Sequence, residues 1–445
     1  MTNIDIDFNR TVGKIKAMHG IGQPPLCDAD TGFFYYLKDA HIPYSRLHDV
    51  GGMYGMHLFV DIPNIFKDFD ADVNDEASYD FLFTDILIKA LVDNGVEPYF
   101  RLGVSIENYH KIVARRIFPP KDYQKWAEIC EHIVRHYNEG WNNGFFYNIT
   151  YWEIWNEPDG HKKTEENAMW KGTREEYFEL YKTTSLHLRK CFGNSIKIGG
   201  YGSCGFYVAL QKHNISGEAF GISKELLDWN DRITGFLEFF NAFIAFVKEN
   251  NLPFDFFSYH SYETVKNNLI MQKYCEKLLE DAGFCNIEIH FNEWNTDPAR
   301  EHIGTSHACA NAVATMIEMQ NTKMQIMCYY DARMRPSSYA GMFNCLTQKP
   351  YALYYGFKAF GELYELGTQV YSKCDNEDVY VLAAKGKGKK AVLITNIGHK
   401  DALSIDMNTV EIAFLIDKNH HYTEMPLDDK KLVLCKNQTV ILFFK

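Results

Sequence analysis

The stretch ITYWEIWNEP, residues 149–158, joins a strongly β-forming run to a residue that ends it. Residues 149–156 are rich in aromatic and β-branched side chains, which favour an extended backbone. Pro158 lacks a backbone donor and stops the strand, so Glu157 lies at the carboxyl end of the strand. In barrels of parallel strands the active-site groups come from these ends. The stretch therefore predicts a core strand that presents a carboxylate at its rim.

Seven comparable runs occur between residue 14 and about residue 365, and a helical pattern follows each one. Strands that alternate with helices predict a parallel sheet covered by helices. Eight such units predict an α/β fold of the (β/α)8 TIM-barrel type. The predicted strands are 14–19, 43–48, 96–102, 149–156, 196–201, 254–260, 287–292 and 325–331.

Two of the intervening helices have a predicted apolar face, because their apolar residues recur at steps of three and four. After the second strand this face consists of Tyr79, Leu82, Phe83, Ile86 and Ala90. After the third strand it consists of Tyr123, Trp126, Cys130, Ile133 and Tyr137. Residues 202–233 form a predicted insertion that could cover a cleft.

The pattern changes at about residue 366 to short strands separated by turns rich in Gly, Lys and Asn. Such spacing predicts an all-β module. We therefore expect a catalytic barrel over residues 12–365 and an accessory β-sandwich over residues 366–445. An N-terminal strand, residues 1–11, is expected to join the sandwich.

Composition and charge exclude several classes of function. The formal net charge of −12 disfavours binding to nucleic acid or anionic membranes. No apolar run approaches the roughly 20 residues that a membrane span needs, and no secretory signal is present in the sequence. Eleven cysteines without CxxC pairs fit free thiols in a reducing compartment. We therefore expect a cytoplasmic protein without nucleic-acid or membrane partners, whereas homo-oligomer formation stays open.

A second carboxylate, Glu293 in the segment IEIHFNEWNTD, occupies a position like that of Glu157. Each follows an asparagine at the end of an aromatic-rich strand. Taken singly, either could be an ordinary surface acid. Together they predict the carboxylate pair that cleaves a glycosidic bond. Glu153 lies deeper in its strand and is expected to pair with Arg46 or Arg101.

Four segments resemble family 39 glycoside hydrolases, the β-xylosidase and α-L-iduronidase family of the large retaining (β/α)8 clan. They are WEIWNEP (152–158), WKGTREEYFELYKTT (170–184), IKIGG (196–200) and FNEWNTD (291–297). The resemblance covers roughly residues 12–365. It implies that Glu157 is the general acid/base, that Glu293 is the nucleophile, and that double displacement retains the anomeric configuration.

The resemblance also implies contacts with the sugar. Asn156 resembles the clan's asparagine that bonds the sugar 2-hydroxyl. In FSYHSYE, Tyr262 matches a residue that donates to the nucleophile, and His260 matches one that reaches the sugar.

Strand two supplies further candidates. Arg46 resembles the family's strand-two arginine, which could keep Glu293 ionised; a salt bridge on the barrel floor is the alternative. His48 and His19 are weaker candidates for contact with the sugar.

Strand eight departs from the family pattern. Many relatives in the clan have a tryptophan beneath the sugar, whereas this chain has QIMCYYDARMRPSSYAGMFN at 325–344. Asp331 and Arg333 are therefore candidate substrate-binding residues, and Arg333 could bind a uronate carboxylate with two hydrogen bonds. An ion pair between Asp331 and Arg333 within the loop is the alternative.

The predicted function is that of a retaining exo-glycosidase without cofactor or metal. Its expected substrate is a small oligosaccharide or glycoside with an equatorial bond, first a β-D-xyloside. The nearest alternatives are an α-L-arabinosidase, a β-galactosidase or a uronidase of the same family. The others are a non-catalytic carbohydrate-binding barrel and a metal-dependent sugar isomerase, whose ligands would come from His19, His48, Asp49, His57, His260 and Glu293.

Overall fold

The structure is a computed structural model of the 445-residue chain. It describes all residues except 1, 28–29, 51–59, 107–115, 162, 206–230, 297–298, 337–338, 340, 406 and 428–431, and at 231–234 it describes the backbone only. Most of the predicted insertion at 202–233 lies outside the described residues, as does His57 among the candidate metal ligands.

Eight parallel strands form a closed barrel, which confirms the predicted fold class. After β1 (Thr2–Lys14), the barrel strands are β2 (Ala17–Gly22), β3 (Tyr44–Leu47), β4 (Glu97–Leu102), β5 (Tyr151–Ile154), β6 (Lys197–Ser203), β7 (Phe256–Ser261), β8 (Glu288–Trp294) and β9 (Met324–Tyr329). Each strand pairs with the next, and β2 pairs with β9 to close the ring. The first barrel strand begins at Ala17 rather than at residue 14, because Lys14 is the last residue of β1.

Helices follow the strands around the outside of the barrel. In the described part of the chain they are α1 (Tyr35–Asp39), α2 (Ile62–Ile65), α3 (Leu82–Asp93), α4 (Tyr123–Asn138), α5 (Arg174–Phe192), α6 (Asp231–Glu249), α7 (Val265–Asp281), α8 (Ser306–Gln320) and α9 (Ala352–Leu366). Short 3₁₀ turns lie at Glu76–Ser78, Trp141–Asn143, Thr164–Glu166, Arg300–His302 and Met407–Thr409.

The two predicted apolar faces had different outcomes. In α4 the residues Trp126, Cys130, Ile133 and Tyr137 are buried, as predicted. In α3 the predicted face was wrong, because Leu82 and Ile86 are 62% and 45% exposed. The buried residues of α3 are instead Thr84, Leu87, Ile88 and Leu91. Eight of the twelve residues of this helix are apolar, so more than one face satisfies the same spacing.

Side-chain caps fix where the two helices that flank β5 begin. The Asp122 carboxylate accepts from the backbone N–H groups of Gln124 and Lys125 at the start of α4. Thr173 and Glu176 form a reciprocal capping box at the start of α5. The loop that carries Glu157 therefore runs from the end of β5 to a fixed helix start.

The remaining strands form a nine-stranded sheet outside the barrel. They are β10 (Thr368–Cys374), β11 (Val379–Gly386), β12 (Lys389–Asn396), β13 (Asp401–Ser404), β14 (Val410–Ile416), β15 (His421–Glu424), β16 (Leu432–Leu434) and β17 (Gln438–Phe444). Their order is β15-β14-β17-β12-β11-β10-β1-β13-β16, so β1 pairs antiparallel with β10 and parallel with β13. Residues from both ends of this order share one apolar core, which indicates that the sheet curls on itself. The predicted boundaries at residues 12 and 366 stay a prediction.

Membrane insertion finds no support in the helices. Among those that the structure describes, none is both long and apolar enough to cross a bilayer.

Candidate active site

The two predicted carboxylates meet at the carboxyl end of the barrel. Glu293 lies in β8, directly opposite His260 of β7, and Glu157 follows β5. Nδ1 of His260 is 2.8 Å from Oε1 of Glu157 and 3.9 Å from Oε2 of Glu293. One oxygen of each carboxylate and one nitrogen of the ring all lie within 4.8 Å of one another. The fold therefore brings together side chains that are 136 positions apart in the sequence (293 − 157).

A left-handed backbone turn places Glu157. Trp155 and Glu157 have φ of 72° and 48°, values that residues with a side chain seldom adopt. The backbone N–H of Glu157 donates to the carbonyl oxygens of Tyr201 and Gly202, at 3.2 and 3.1 Å. The indole N–H of Trp155 donates to the carbonyl of Met169 at 2.8 Å. These bonds to β6 and the following loop hold the turn, so the carboxylate leaves the strand at a fixed angle.

Arg46 links three of the predicted residues from inside the barrel. Its guanidinium donates to Glu153 at 2.8 Å through Nε, to Glu293 at 3.1 Å through Nη1 and to Asn156 at 2.5 Å through Nη2. Burial opposes its charge, but the carboxylates of Glu153 and Glu293 raise the pKa of Arg46 above its ordinary value. The sequence left open whether Arg46 is the partner of Glu293 or forms a salt bridge on the barrel floor. In the structure Arg46 does both. Arg101 pairs with Asp61 instead.

Both oxygens of Glu293 accept hydrogen bonds from the protein. Arg46 donates to Oε2, and the Tyr262 hydroxyl donates to Oε1. Burial and the nearby charge of Glu293 raise the pKa of Tyr262 well above its usual value, so the phenol stays a donor. The Tyr262 ring stacks on Tyr339, with centroids 5.0 Å apart, and meets Tyr330 edge-on at 6.4 Å. The two donors and the packed rings therefore fix the orientation of the Glu293 carboxylate.

His260 is fully buried beside both carboxylates. Burial lowers its pKa, but the charge of Glu293 and the hydrogen bond to Glu157 more than offset this effect, so the pKa of His260 is raised above its ordinary value. A protonated ring donates from Nδ1 to Glu157. His260 therefore contacts the first carboxylate directly, whereas the second, at 3.9 Å, lies beyond hydrogen-bond distance.

Buried polar atoms in the site that have no hydrogen-bond partner among the described residues include Nδ2 of Asn156, Nδ1 of His48 and Nε2 of His260. Buried polar atoms in folded proteins are nearly always satisfied, so such atoms in a cleft indicate a place for ligand hydroxyls. Burial and the positive charges of Arg101 and Arg46 hold the pKa of His48 well below its ordinary value, so its ring is neutral.

Asp331 and Arg333 form an ion pair at the end of β9. Nη2 and Nε of Arg333 lie 2.6 and 3.0 Å from Oδ2 of Asp331. Asp331 is buried, whereas the Arg333 side chain is 27% exposed and its guanidinium lies 5.5 Å from the centre of the Tyr330 ring. This is the loop pair that the sequence offered as the alternative to substrate binding. Its partly exposed guanidinium borders the tyrosines that surround Glu293.

Three residues that the sequence did not assign to the glycosidase site also belong to it. Asp159 accepts from the Ser203 hydroxyl and from the backbone N–H of Cys204, and burial raises the pKa of Asp159 to about 7. Burial and the charge of Glu293 raise the pKa of Asp49 to about 7 as well. Both aspartates directly follow strand-end segments, a signal that could have identified them. The third residue, Gly202, gives no such signal.

The predicted set of metal ligands is only partly assembled. His19 was a wrong candidate, because Nε2 of its ring bonds the carbonyl of His41 at 2.8 Å and the ring packs against Phe360 and Tyr364 of α9. The donors that do converge are those of Glu157, His260 and Glu293. They could hold a divalent cation in principle, but the guanidinium of Arg46 already lies against Glu293.

Gly202 leaves room for three polar groups of the site. A Cβ at this position would lie 3.1 Å from Nη2 of Arg46, 3.1 Å from Nε2 of His260 and 3.3 Å from Oδ1 of Asn156. The backbone at Gly202 also has φ of +62°, which glycine alone adopts readily. Close contact and left-handed backbone therefore both favour glycine here.

We expect Gly202→Ala to lower kcat/KM by at least about tenfold, because small displacements of positioning groups reduce catalysis strongly. Gly95→Ala is the matched control, since Gly95 has φ of +78° and nothing within 4 Å of its Cβ position. Both variants should lose about 1–2 kcal/mol of stability from the backbone strain. Only Gly202→Ala should lose activity with the best available substrate. Equal activity in the two variants would show that the three polar groups tolerate the methyl group.

The chain is similar in sequence to known proteins. The model for glycosyl hydrolases family 39 matches residues 54–338. A β-xylosidase of Caldicellulosiruptor saccharolyticus is 24% identical over 248 residues, which are 50% of this chain and 42% of that protein. A β-xylosidase of Geobacillus stearothermophilus is 22% identical over 270 residues, which are 54% of this chain and 46% of that protein. The matched regions thus span less than half the length of these relatives.

Solved structures resemble the whole chain. A glucosidase from Croceicoccus marinus superposes with a TM-score of 0.77 at 16% identity, covering 100% of this chain and 99% of that one. A family 39 β-xylosidase from Caulobacter crescentus gives a TM-score of 0.70 at 15% identity, again covering 100% and 99%. At such identities the likeness shows that the fold, barrel and β-sheet together, is shared.

Proposed function

Because the chain belongs to the family 39 glycosyl hydrolases, we propose that it cleaves an equatorial glycoside with retention of configuration. The observation that carries the proposal is the closeness of Glu157 and Glu293, whose nearest oxygens lie within 4.8 Å. Carboxyl groups of retaining glycosidases are about 5–5.5 Å apart, whereas inverting enzymes need about 6.5–9.5 Å to admit a water. The short distance between the nearest oxygens favours the closer, retaining arrangement.

In the first step Glu293 attacks the anomeric carbon while Glu157 protonates the departing oxygen. The bond between sugar and aglycone breaks, and an ester between sugar and Glu293 forms. In the second step Glu157 takes a proton from water, which attacks the anomeric carbon and releases Glu293. Each step inverts the anomeric centre once, so the product has the configuration of the substrate.

The contacts of Glu293 and the position of Glu157 support this division of roles. Glu293 accepts from Arg46 and Tyr262, which favours the ionised form that a nucleophile needs. Glu157 has the ring of His260 on one oxygen, and its backbone turn places it beyond the end of the strand. His260 takes no part in bond making. Because it lies beside both carboxylates, its charge acts on Glu157 and on Glu293.

We place the sugar hydroxyls against the unpartnered atoms of the site. Nδ2 of Asn156 would donate to the 2-hydroxyl, since Arg46 already binds the oxygen of the same amide. Nδ1 of His48 would bind a second hydroxyl group. A contact to the 2-hydroxyl that strengthens as the ring gains positive charge stabilises the transition state.

A β-D-xyloside is the first candidate substrate, and an α-L-arabinoside, a β-galactoside or a uronide is the alternative. The β-xylosidases among the relatives support the first choice. The Asp331–Arg333 pair keeps the alternatives open, because its guanidinium borders the tyrosines beside Glu293, where a substituent of the sugar would meet it. A uronide would have to compete with Asp331 for the Arg333 guanidinium.

A panel of aryl glycosides, with the product anomer followed by NMR, tests both the sugar and the stereochemistry. We expect release from the β-D-xyloside above all others, with the β-anomer of xylose as the first product. The α-anomer as first product would contradict the retaining mechanism. Binding of an oligosaccharide without release from any glycoside would instead favour the non-catalytic carbohydrate-binding barrel.

A metal-dependent reaction is the second candidate, because Glu157, His260 and Glu293 present three donor atoms to one point. A cation there would face the guanidinium of Arg46, which disfavours it. Treatment with a chelator separates the two functions. Glycosidase activity should be unchanged, whereas loss of activity and its recovery on adding a divalent metal would favour the metal enzyme.

A cytoplasmic location is also part of the proposal. None of the eleven cysteines, all of which the structure describes, is in a disulfide; five are half-buried and two are exposed. Exposed thiols persist best in a reducing compartment.

A further inference from the structure

A second cluster of metal-binding side chains lies in the outer helical layer. It consists of Glu131 on α4 and of His187 and Cys191 on α5, and we call it the helix-layer cluster. Helices of the barrel run opposite to its strands, so the last turns of α5, where His187 and Cys191 lie, are directed toward the amino ends of the strands. The cluster is therefore distant from the end of the barrel that carries Glu157.

We propose that the helix-layer cluster binds a divalent cation of the zinc class. Its three donor atoms, a carboxylate oxygen, an imidazole nitrogen and a thiol sulfur, lie within 4.8 Å of one another. Zinc binds these donor types together, with three protein ligands and a water as one common arrangement. With Cys191 as a thiolate and His187 neutral, the ligands carry two negative charges, which a divalent cation neutralises.

Helix geometry supports the arrangement. His187 and Cys191 are four residues apart and so lie on one face of α5, toward Glu131 on α4. Nε2 of His187 is 3.8 Å from Sγ of Cys191. In a tetrahedral site with bonds of about 2.0–2.1 Å to nitrogen and about 2.3 Å to sulfur, these two atoms would be about 3.5 Å apart. The pair therefore needs almost no movement.

The third ligand, Glu131, would have to move slightly to bind the cation. Nε2 of His187 lies 2.5 Å from Oε2 of Glu131, as a direct hydrogen bond. A cation between the two atoms would separate them to about 3.4 Å. Both side chains are 15% exposed, which leaves room for this shift and for entry of an ion.

Neighbouring residues hold the ligands in suitable orientations. The amide N–H of Gln124 donates to Nδ1 of His187 at 3.2 Å, so without a metal the ring carries its proton on Nε2, toward Glu131. Metal binding at Nε2 moves this proton to Nδ1 and requires the Gln124 amide to turn and accept from it.

Arg135 binds Oε1 of Glu131 at 2.7 Å. Because the Arg135 side chain is 32% exposed, its charge repels a cation on Oε2 less than the buried Arg46 would repel one at Glu293. Burial and the charge of Glu131 raise the pKa of Cys191, so binding replaces the thiol proton by the metal and releases that proton.

Titration of the metal-free protein, prepared without a polyhistidine tag, with Co²⁺ tests the proposal. Cobalt replaces zinc in such sites, and a cobalt–thiolate bond gives charge-transfer absorption in the near ultraviolet. We expect this absorption to saturate at one Co²⁺ per chain and to disappear on adding Zn²⁺. The donors at the candidate active site include no thiol, so a metal there would not produce the signal.

Cys191→Ser and His187→Gln should each weaken Co²⁺ binding by more than about tenfold, since even loss of a residue that only orients a ligand costs that much. Cys435→Ser, which removes an exposed thiol in the β-sheet, is the matched control and should leave binding unchanged. Zn²⁺ should also raise the Tm of the wild-type protein but not of Cys191→Ser. Absence of the absorption in the wild type, or its persistence in Cys191→Ser, would overturn the proposal.

Discussion

Glu293→Ala is expected to abolish turnover of every glycoside that the protein cleaves, with a loss of at least about 10⁴-fold in kcat. The reason is that no other carboxylate in the site is positioned by both Arg46 and Tyr262, and Glu157 cannot take both roles. Added azide should enter the space left by the side chain and attack the anomeric carbon. The product should then be a glycosyl azide of inverted configuration, because only one displacement occurs.

The control for Glu293→Ala is Glu411→Ala, which removes an exposed carboxylate from β14. It should leave kcat unchanged. Circular dichroism and Tm should show that both variants fold, since loss of Glu293 still leaves Arg46 bonded to Glu153 and Asn156. Turnover by Glu293→Ala without azide would rule out the nucleophile assignment.

Glu157→Gln is expected to separate substrates by their leaving group. Glycosides with poor leaving groups need protonation of the departing oxygen, and their kcat/KM should fall by about 10²–10⁴-fold. Activated aryl glycosides need little protonation, so the rate of their first step should change far less. The glutamine keeps the size of the side chain and can still bond His260, so the difference reports the proton.

The measurement is kcat/KM for a series of aryl glycosides of increasing leaving-group pKa, in the wild type and in Glu157→Gln. The slope of log(kcat/KM) against that pKa should become steeper in the variant. Parallel lines, with equal losses for good and poor leaving groups, would contradict the acid assignment. Asp159→Asn is a useful comparison, because Asp159 lies two residues away but bonds Ser203 and Cys204 rather than the leaving group.

The number of barrel strands and their order were predictable because each strand is a short apolar run between turn signals. The residues at which the strands begin and end were less predictable. Lys14 looked like the start of the first barrel strand, but it completes a strand of the outer sheet through pairing with Thr368, which lies far along the chain. In α3 the spacing rule failed, because apolar residues surround the helix and only tertiary packing selects the face that is buried.

Within the site, the residues that could be found from sequence are those attached to strand ends. Their partners depend on contacts across the barrel. The triple link of Arg46 to Glu153, Asn156 and Glu293 joins three strands, so no local pattern could specify it. Gly202 is a stronger case, because its importance lies in the space that it leaves for side chains of other strands.

The outer sheet has a consequence for the order of folding. Its strand β1 is the first to be synthesised, yet β10 follows only after the whole barrel, with Lys14 and Thr368 separated by 354 positions (368 − 14). The interior strand β17 is the last strand of this sheet along the chain and pairs on both sides, with β12 and β14. On the ribosome, β1 therefore remains an unpaired edge while the barrel forms. Synthesis of β17, rather than completion of the barrel, is therefore the step that completes the sheet.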